Sequence, residues 1–189
     1  MIKLGAKELR TTEPSAKDLR KIKKNPIYIV LDNVLDTYNV GSIFRLADAV
    51  AAKKIFLCGQ TETPPNPRIK KASVSTWQWV DWSYKPTAID ALQELKTQNS
   101  RLRQGFGGQA KLKIVCVEQD PKSIPYTEMK VEFPVAVVVG NETDGISKEV
   151  LKMADEIVEI PMFGVNKSLN VMVSCGIVLF EIMKKIPRG

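Results

Sequence analysis

Five polar side chains stand at the edges of apolar runs in this chain. Asn39 and Arg45 lie in "LDNVLDTYNVGSIFR" (31–45), Glu142 in "VVVGNETDG" (137–145), and Ser168 and Asn170 in "EIPMFGVNKSLNV" (159–171). No histidine occurs among the 189 residues. Its absence removes Ser-His-Asp and Cys-His nucleophiles, imidazole acid–base work and histidine-ligated metals together. An enzyme built from this chain therefore works with Arg, Lys, Asp, Glu, Ser or Asn. Cys58, Cys116 and Cys175 lie far apart with no CxxC pair, which argues against a zinc site or a disulfide framework and for reduced core thiols.

Each of the three segments also has a plain structural explanation. Asn39 and Gly41 can open a helix with Arg45 one turn into it. Gly140 to Gly145 can be a tight strand-to-helix turn, in which Gly140 lets something approach the backbone closely. Ser168 or Asn170 can cap a final helix. Capping explains one polar side chain there, but not three in five residues. The second segment is neither a P-loop, since Ile146 and Ser147 follow where Lys and Ser/Thr belong, nor a GxGxxG turn.

The elements around these segments alternate. "IYIVL" (27–31), "KIFLC" (54–58), "KIVCV" (113–117), "PVAVVVG" (134–140) and "EIVEIP" (156–161) read as strands, and "TWQWVDW" (76–82) as a short one. "GSIFRLADAVAA" (41–52), "TAIDALQELK" (87–96), "ISKEVLKMA" (146–154) and a final helix from near Ser168 read as helices. Strands that are apolar throughout and alternate with helices predict an α/β fold, a parallel sheet covered on both faces. In such a sheet ligands bind beyond the carboxyl ends of the strands, where all three polar segments fall. "PPNPRIKKAS" (64–73) reads as a Pro-rich basic loop, and "RLRQGFGGQAK" (101–111) as a flexible inserted loop.

Length suits one domain, with a basic extension over residues 1–25. Hydrophobic residues at 44% and charged residues at 26% fit a soluble globular chain. The longest apolar stretch, 171–183, is too short and interrupted for a membrane span, and the N-terminus lacks a signal-peptide core, so a cytoplasmic protein with no membrane partner is expected. Net charge is +7, and it is concentrated. Residues 1–26 hold eight Lys/Arg against three Asp/Glu, residues 53–71 five against one, and residues 101–113 four against none. Such clustering is the footprint of a polyanion partner, or else solvated surface.

Together, in this order, the three segments resemble the SpoU (TrmH) family of RNA ribose 2′-O-methyltransferases, in the SPOUT superfamily. Asn39, Gly41 and Arg45 match its first motif. Gly140, Asn141, Glu142 and Gly145 match the second. Ile160 to Met162 and Ser168 to Val171 match the third. The resemblance covers about residues 26–186 of a domain placed at 26–187; the 101–111 segment is surplus to it.

The resemblance implies a deep trefoil knot in the C-terminal third, S-adenosylmethionine as cofactor, no metal, and a homodimer. It implies that Val117, Gly140, Ile160, Met162, Ser168 and Leu169 contact the cofactor, Met162 near the adenine. Glu142, Ser168 and Asn170 are expected near the methyl donor and the RNA, and Asn39 and Arg45 in a site completed across the dimer. RNA is expected on Lys17, Arg20, Lys21, Lys23, Lys24, Arg68, Lys70 and Lys71, with tRNA favoured, rRNA open, and a non-catalytic RNA-binding protein of the same fold as the competing reading.

Overall fold

The computed structural model describes residues 5, 8, 14–106 and 111–186. Seven strands form one sheet: β1 (Asn25–Asp32), β2 (Ala52–Cys58), β3 (Trp82–Lys85), β4 (Lys113–Val117), β5 (Ile124–Pro125), β6 (Val135–Gly140) and β7 (Glu156–Glu159), in the order β3-β2-β1-β6-β4-β7-β5. Every pairing is parallel. The central strands β1 and β6 are the apolar runs of the sequence, and all six residues of β6 are buried, as a strand covered on both faces requires.

Strand alternation divides the apolar side chains between two cores. Ile27, Ile29 and Leu31 of β1, with Val135, Val137 and Val139 of β6, meet α2 (Thr37–Ala49) and α6 (Val171–Lys184) through Ile43, Phe44, Val178 and Leu179. Tyr28, Val30, Ala136 and Val138 meet α4 (Ala88–Phe106) and α5 (Lys148–Leu151) through Leu92, Leu95 and Val150. The sheet is thus covered on both faces, as the sequence pattern predicts. Cys58, Cys116 and Cys175 are free and buried. Burial pushes each thiol up to about 12, helped at Cys58 and Cys116 by the negative charge of Asp32.

Several elements differ from the sequence reading. α2 begins at Thr37 because Asp36 caps it, accepting the Tyr38 amide at 2.8 Å; Asn39 and Gly41 lie inside the helix instead of opening it. Residues 67–73, read as loop, form α3 (Pro67–Ser73), capped by Asn66 and started by Pro67, whose fixed φ suits a first helical position. The Pro signal was a helix start. α3 packs so closely on α2 that a Cβ on Gly41 would lie 2.6 Å from that of Ala72. The 76–82 run splits into a 3₁₀ turn, Thr76–Gln78, and then β3.

α4 continues to Phe106, so residues 101–106 of the segment read as an inserted loop are helix; residues 107–110 lie outside the described residues. Leu, Arg and Gln in that stretch are good helix formers. Beyond it, Lys111 pairs with Asp155 at 3.1 Å and Lys113 with Glu156 at 2.9 Å, so part of that basic segment is neutralised within the fold. α5 is shorter than expected, and α6 starts at Val171 with Asn170, not Ser168, as its cap. In the basic extension, α1 (Ala16–Leu19) buries none of its residues. Among the described residues no helix is long and apolar enough to cross a membrane.

Candidate active site

β1, β6, β4 and β7 are neighbours in the sheet and run parallel, so their carboxyl ends open on one side. Each end carries one piece of a polar site.

After β6 the chain makes a closed turn. Asn141 and Gly145 exchange both backbone hydrogen bonds at 3.0 Å, and the Asn141 Oδ1 accepts the Thr143 and Asp144 amides at 2.7 and 3.0 Å. What approaches Gly140 closely is the return of this turn: a Cβ there would lie 2.3 Å from the Gly145 carbonyl carbon. Gly145 itself has φ +69°, and a Cβ on it would meet the Glu118 carboxylate at 2.3 Å. That carboxylate, just past β4, accepts the Ile146 amide at 2.9 Å.

The turn presents Glu142 to the segment after β1. The Glu142 carboxylate accepts the Leu35 and Asp36 amides, each at 3.1 Å, and the Asn39 Nδ2 at 2.8 Å. Burial works to raise its pKa, but the hydrogen bonds from Asn39, Leu35 and Asp36 prevail and hold it below the ordinary carboxylate value. Asn39, 5% exposed on the first turn of α2, accepts the Asn170 Nδ2 on its Oδ1 at 2.9 Å. Asn170 in turn accepts the Met172 amide at 2.9 Å and so starts α6. Glu142, Asn39 and Asn170, one from each polar segment and up to 131 positions apart, form one hydrogen-bonded chain.

Beside this chain lies a cavity of about 450 Å³. Val117, Gly140, Ile160, Met162, Ser168 and Leu169 all line it, and so do Glu142 and Asn170. Its apolar wall is Val, Ile, Leu and Met; uncharged amide and hydroxyl side chains and three carboxylates, Glu118, Glu142 and Glu159, complete it, with no Lys or Arg among the described residues that line it. Such a site suits a ligand with apolar surface and positive charge, and disfavours a polyphosphate. Ser168 donates its amide to Asn166 Oδ1 at 3.1 Å. Gln119 Nε2 donates to the Lys167 carbonyl, tying the loop after β7 to the end of β4.

Arg45 is not part of this cluster. It is exposed on the third turn of α2, does not line the cavity, and makes no hydrogen bond or ion pair among the described residues. Arg68, Lys70 and Lys71 are exposed on α3, the helix that packs against α2. Lys17, Arg20, Lys21 and Lys23 are exposed in and after α1, with Lys24 half-buried and Lys21 paired to Asp18 at 3.1 Å.

Glu118, Gln119 and Asn166 were missed in the sequence. Glu118 and Gln119 directly follow the "KIVCV" strand, so the rule that ligands gather beyond strand carboxyl ends was enough to find them. Asn166 had no comparable signal.

The chain is similar to known proteins. A tRNA (guanosine(18)-2′-O)-methyltransferase of Aquifex aeolicus is 28% identical over 187 residues, spanning 94% of this chain and 80% of the relative. The 23S rRNA (guanosine-2′-O-)-methyltransferase RlmB of Haemophilus influenzae is 28% identical over 181 residues, 96% of this chain and 68% of the relative. The crystal structure of an AdoMet-bound rRNA methyltransferase from Sinorhizobium meliloti superposes with a TM-score of 0.70 at 27% identity, covering 90% of this chain and 61% of that one. The SpoU rRNA methylase family matches residues 26–180, and the match takes in all three polar segments and the cavity between them: the chain belongs to that family.

Proposed function

We propose that this protein methylates a ribose 2′-hydroxyl of structured RNA with S-adenosylmethionine as donor, tRNA being the favoured substrate and rRNA the alternative. The observation that carries this reading is the hydrogen-bonded chain Glu142–Asn39–Asn170, which joins three distant segments beside one base-free cavity. The names of the Aquifex and Haemophilus relatives support tRNA and rRNA respectively. A non-catalytic RNA-binding role is disfavoured, since it would not need this cluster intact.

The cavity fits the cofactor's chemistry. Its carboxylates and lack of bases suit a sulfonium and an ammonium, and Val117, Ile160, Met162 and Leu169 offer apolar surface to an adenosine, Met162 near the adenine. Gly140 and Ser168 complete the wall through backbone groups. When bound, the cofactor supplies a methyl group on a positively charged sulfur, an electrophile that needs positioning more than activation. Both carboxylate oxygens of Glu142 accept from amides and its pKa is depressed, which makes it an organiser of the site and a poor proton acceptor. Ser168 and Asn170 hold the corner where donor and ribose meet.

Arg45 serves as the cation that stabilises the oxygen as its proton passes to bulk solvent; free guanidinium stays charged, so it acts as a charge and not as a base. Its place outside its own chain's cavity fits a site completed across a homodimer. In support, α6 exposes Val173 and Phe180 seven residues apart on one face, and Leu35 and Tyr38 are exposed at the start of α2. The reading includes the family's trefoil knot in the C-terminal third and a cytoplasmic location. RNA lies along Lys17, Arg20, Lys21, Lys23 and Lys24 and across Arg68, Lys70 and Lys71, gripped through phosphates that position it without reading its sequence.

The test is incubation with methyl-labelled S-adenosylmethionine and unmodified tRNA or rRNA transcripts, followed by digestion to nucleosides. Label should appear in 2′-O-methylnucleosides. Label in methylated bases, or no transfer to either RNA by protein that binds both ligands, would overturn the proposal.

A further inference from the structure

Opposite Gly140, in the register of β1 with β6, stands a carboxylate that the proposed chemistry does not use. Asp32 ends β1, is 3% exposed, and is not among the residues lining the cavity. Its Oδ2 accepts the Ser147 amide at 2.9 Å and the Ser147 hydroxyl at 2.7 Å; its Oδ1 accepts the Asn33 Nδ2 at 2.9 Å. None of these partners is cationic. Burying a carboxylate without a counter-charge is costly, so this position calls for a reason beyond packing.

The bonds lead in two directions. Ser147 closes the turn that began at Gly140, so Asp32 anchors the far end of the segment carrying Glu142. Asn33 sits in the left-handed region, with φ 57°. It is pinned there by Asp32 on one side and by the Gln60 amide on its Oδ1, at 3.0 Å, on the other. Its carbonyl accepts the Asn141 Nδ2 at 3.0 Å. From Asn33 the chain runs two residues to Leu35 and three to Asp36, whose amides hold Glu142. Asp32 is therefore the common root of two segments: the one that bears Glu142 and the one that bears its donors. The two oxygens of one carboxyl group take all three bonds at once.

We propose that Asp32 is a positioning residue for the cofactor cavity, acting through Ser147 and Asn33 on the shape of the 140–147 turn. The inference rests on the methyltransferase reading. Asp32→Asn keeps the size but turns an NH₂ toward the Ser147 or Asn33 donors. Ser147→Ala removes only the hydroxyl bond and leaves the amide.

The experiment is calorimetric titration with S-adenosylmethionine and thermal melting for wild type, Asp32→Asn, Ser147→Ala and Leu92→Ala, the last a core truncation on α4 at a residue that does not line the cavity. Steady-state kinetics with RNA follow. Asp32→Asn should bind the cofactor about tenfold or more weakly, with KM raised for the cofactor and unchanged for RNA. Ser147→Ala should show a smaller shift in the same direction. Leu92→Ala should melt earlier with cofactor affinity unchanged. If Asp32→Asn and Ser147→Ala follow the Leu92→Ala pattern, Asp32 is a stability residue and the proposal is overturned. If Asp32→Asn does not fold, wild-type affinity in Ser147→Ala overturns it alone. A wild type that binds no S-adenosylmethionine overturns the methyltransferase reading as well, which separates the two failures.

Discussion

On one face of the sheet α2 and α6 cover Ile27, Ile29 and Leu31; on the other α4 and α5 cover Tyr28 and Val30. The two cores are made of the same kinds of side chain and gain stability the same way. They differ in where their helices begin. α2 starts at the Asp36 cap and carries on its first turn Asn39, which bonds Glu142 and Asn170, and α6 starts at Asn170, which lines the cavity. α4 starts in a local cap, where Thr87 and Asp90 bond each other, and none of its described residues lines the cavity. Burial is thus shared by both faces, while Asn39 and Asn170 belong to helix starts on one of them and Glu142 to the turn that leads into α5 on the other. The teaching is that stability and chemistry are separable in this molecule, and the separation can be attacked by experiment.

Truncating the α4 face is expected to do the most. Leu92 is fully buried, so Leu92→Ala should cost about 2–5 kcal/mol in denaturant unfolding, with methyl transfer per folded molecule unchanged. A tenfold drop in kcat under conditions where the variant is folded would erase the division between the faces. Arg45→Ala is the reverse case. Transfer should fall about 10²–10³-fold. Its exposure predicts a stability change within about 0.5 kcal/mol, and calorimetry should find cofactor binding intact. Weak cofactor binding in that variant refutes the role given to Arg45.

Neutralising Arg68, Lys70 and Lys71 on α3 sharpens the comparison further, because that helix touches α2 but does not line the site cavity. RNA affinity should become less salt-dependent, the log–log slope falling by about 0.7–0.9 for each phosphate that is no longer neutralised, with the cofactor Kd unaltered. An unchanged slope means that α3 is only solvated surface.

The smallest effect is on pH. Glu142 at the site and Asp155 at the opposite strand ends both titrate below the ordinary carboxylate value. Burial opposes this in each, but hydrogen bonds win, from Asn39, Leu35 and Asp36 at Glu142 and from the Ile114 amide and Lys111 at Asp155. A depressed folded pKa stabilises above the unfolded pKa of about 4 and is lost as pH falls through the folded value. Urea midpoints should therefore be flat in these two groups from pH 7 to 5 and decline below about pH 4. Glu142→Gln should remove part of that decline. Midpoints that rise on acidification would contradict both assignments.

The parallel, doubly covered sheet was legible because continuous β-branched runs such as "VAVVV" leave few other solutions. The site was legible in part. Asn39, Glu142 and Asn170 stood out as polar groups at the ends of apolar runs, and the cavity gathers the residues expected to line it. Helix limits were read less well. Pro67 looked like a loop breaker and was a first helical residue, and Asp36 outcompeted Asn39 as the cap of α2. Both errors come from signals that serve two local structures equally and are resolved by packing against neighbours.

From the chain of letters alone came the residue types available for chemistry, the exclusion of imidazole, the alternation that sets the sheet, and the concentration of basic charge. The roles of Asp32 and Glu118 came from the fold. A carboxylate at the end of a strand carries no mark of whether it will face solvent, a cation or a ring of amides. That depends on which strand ends become neighbours, and the order β1-β6-β4-β7 rests on pairings such as Ile27 with Val135, more than a hundred positions apart. Hydrogen bonds act over about 3 Å, so their partners exist only after that long-range order has brought them together.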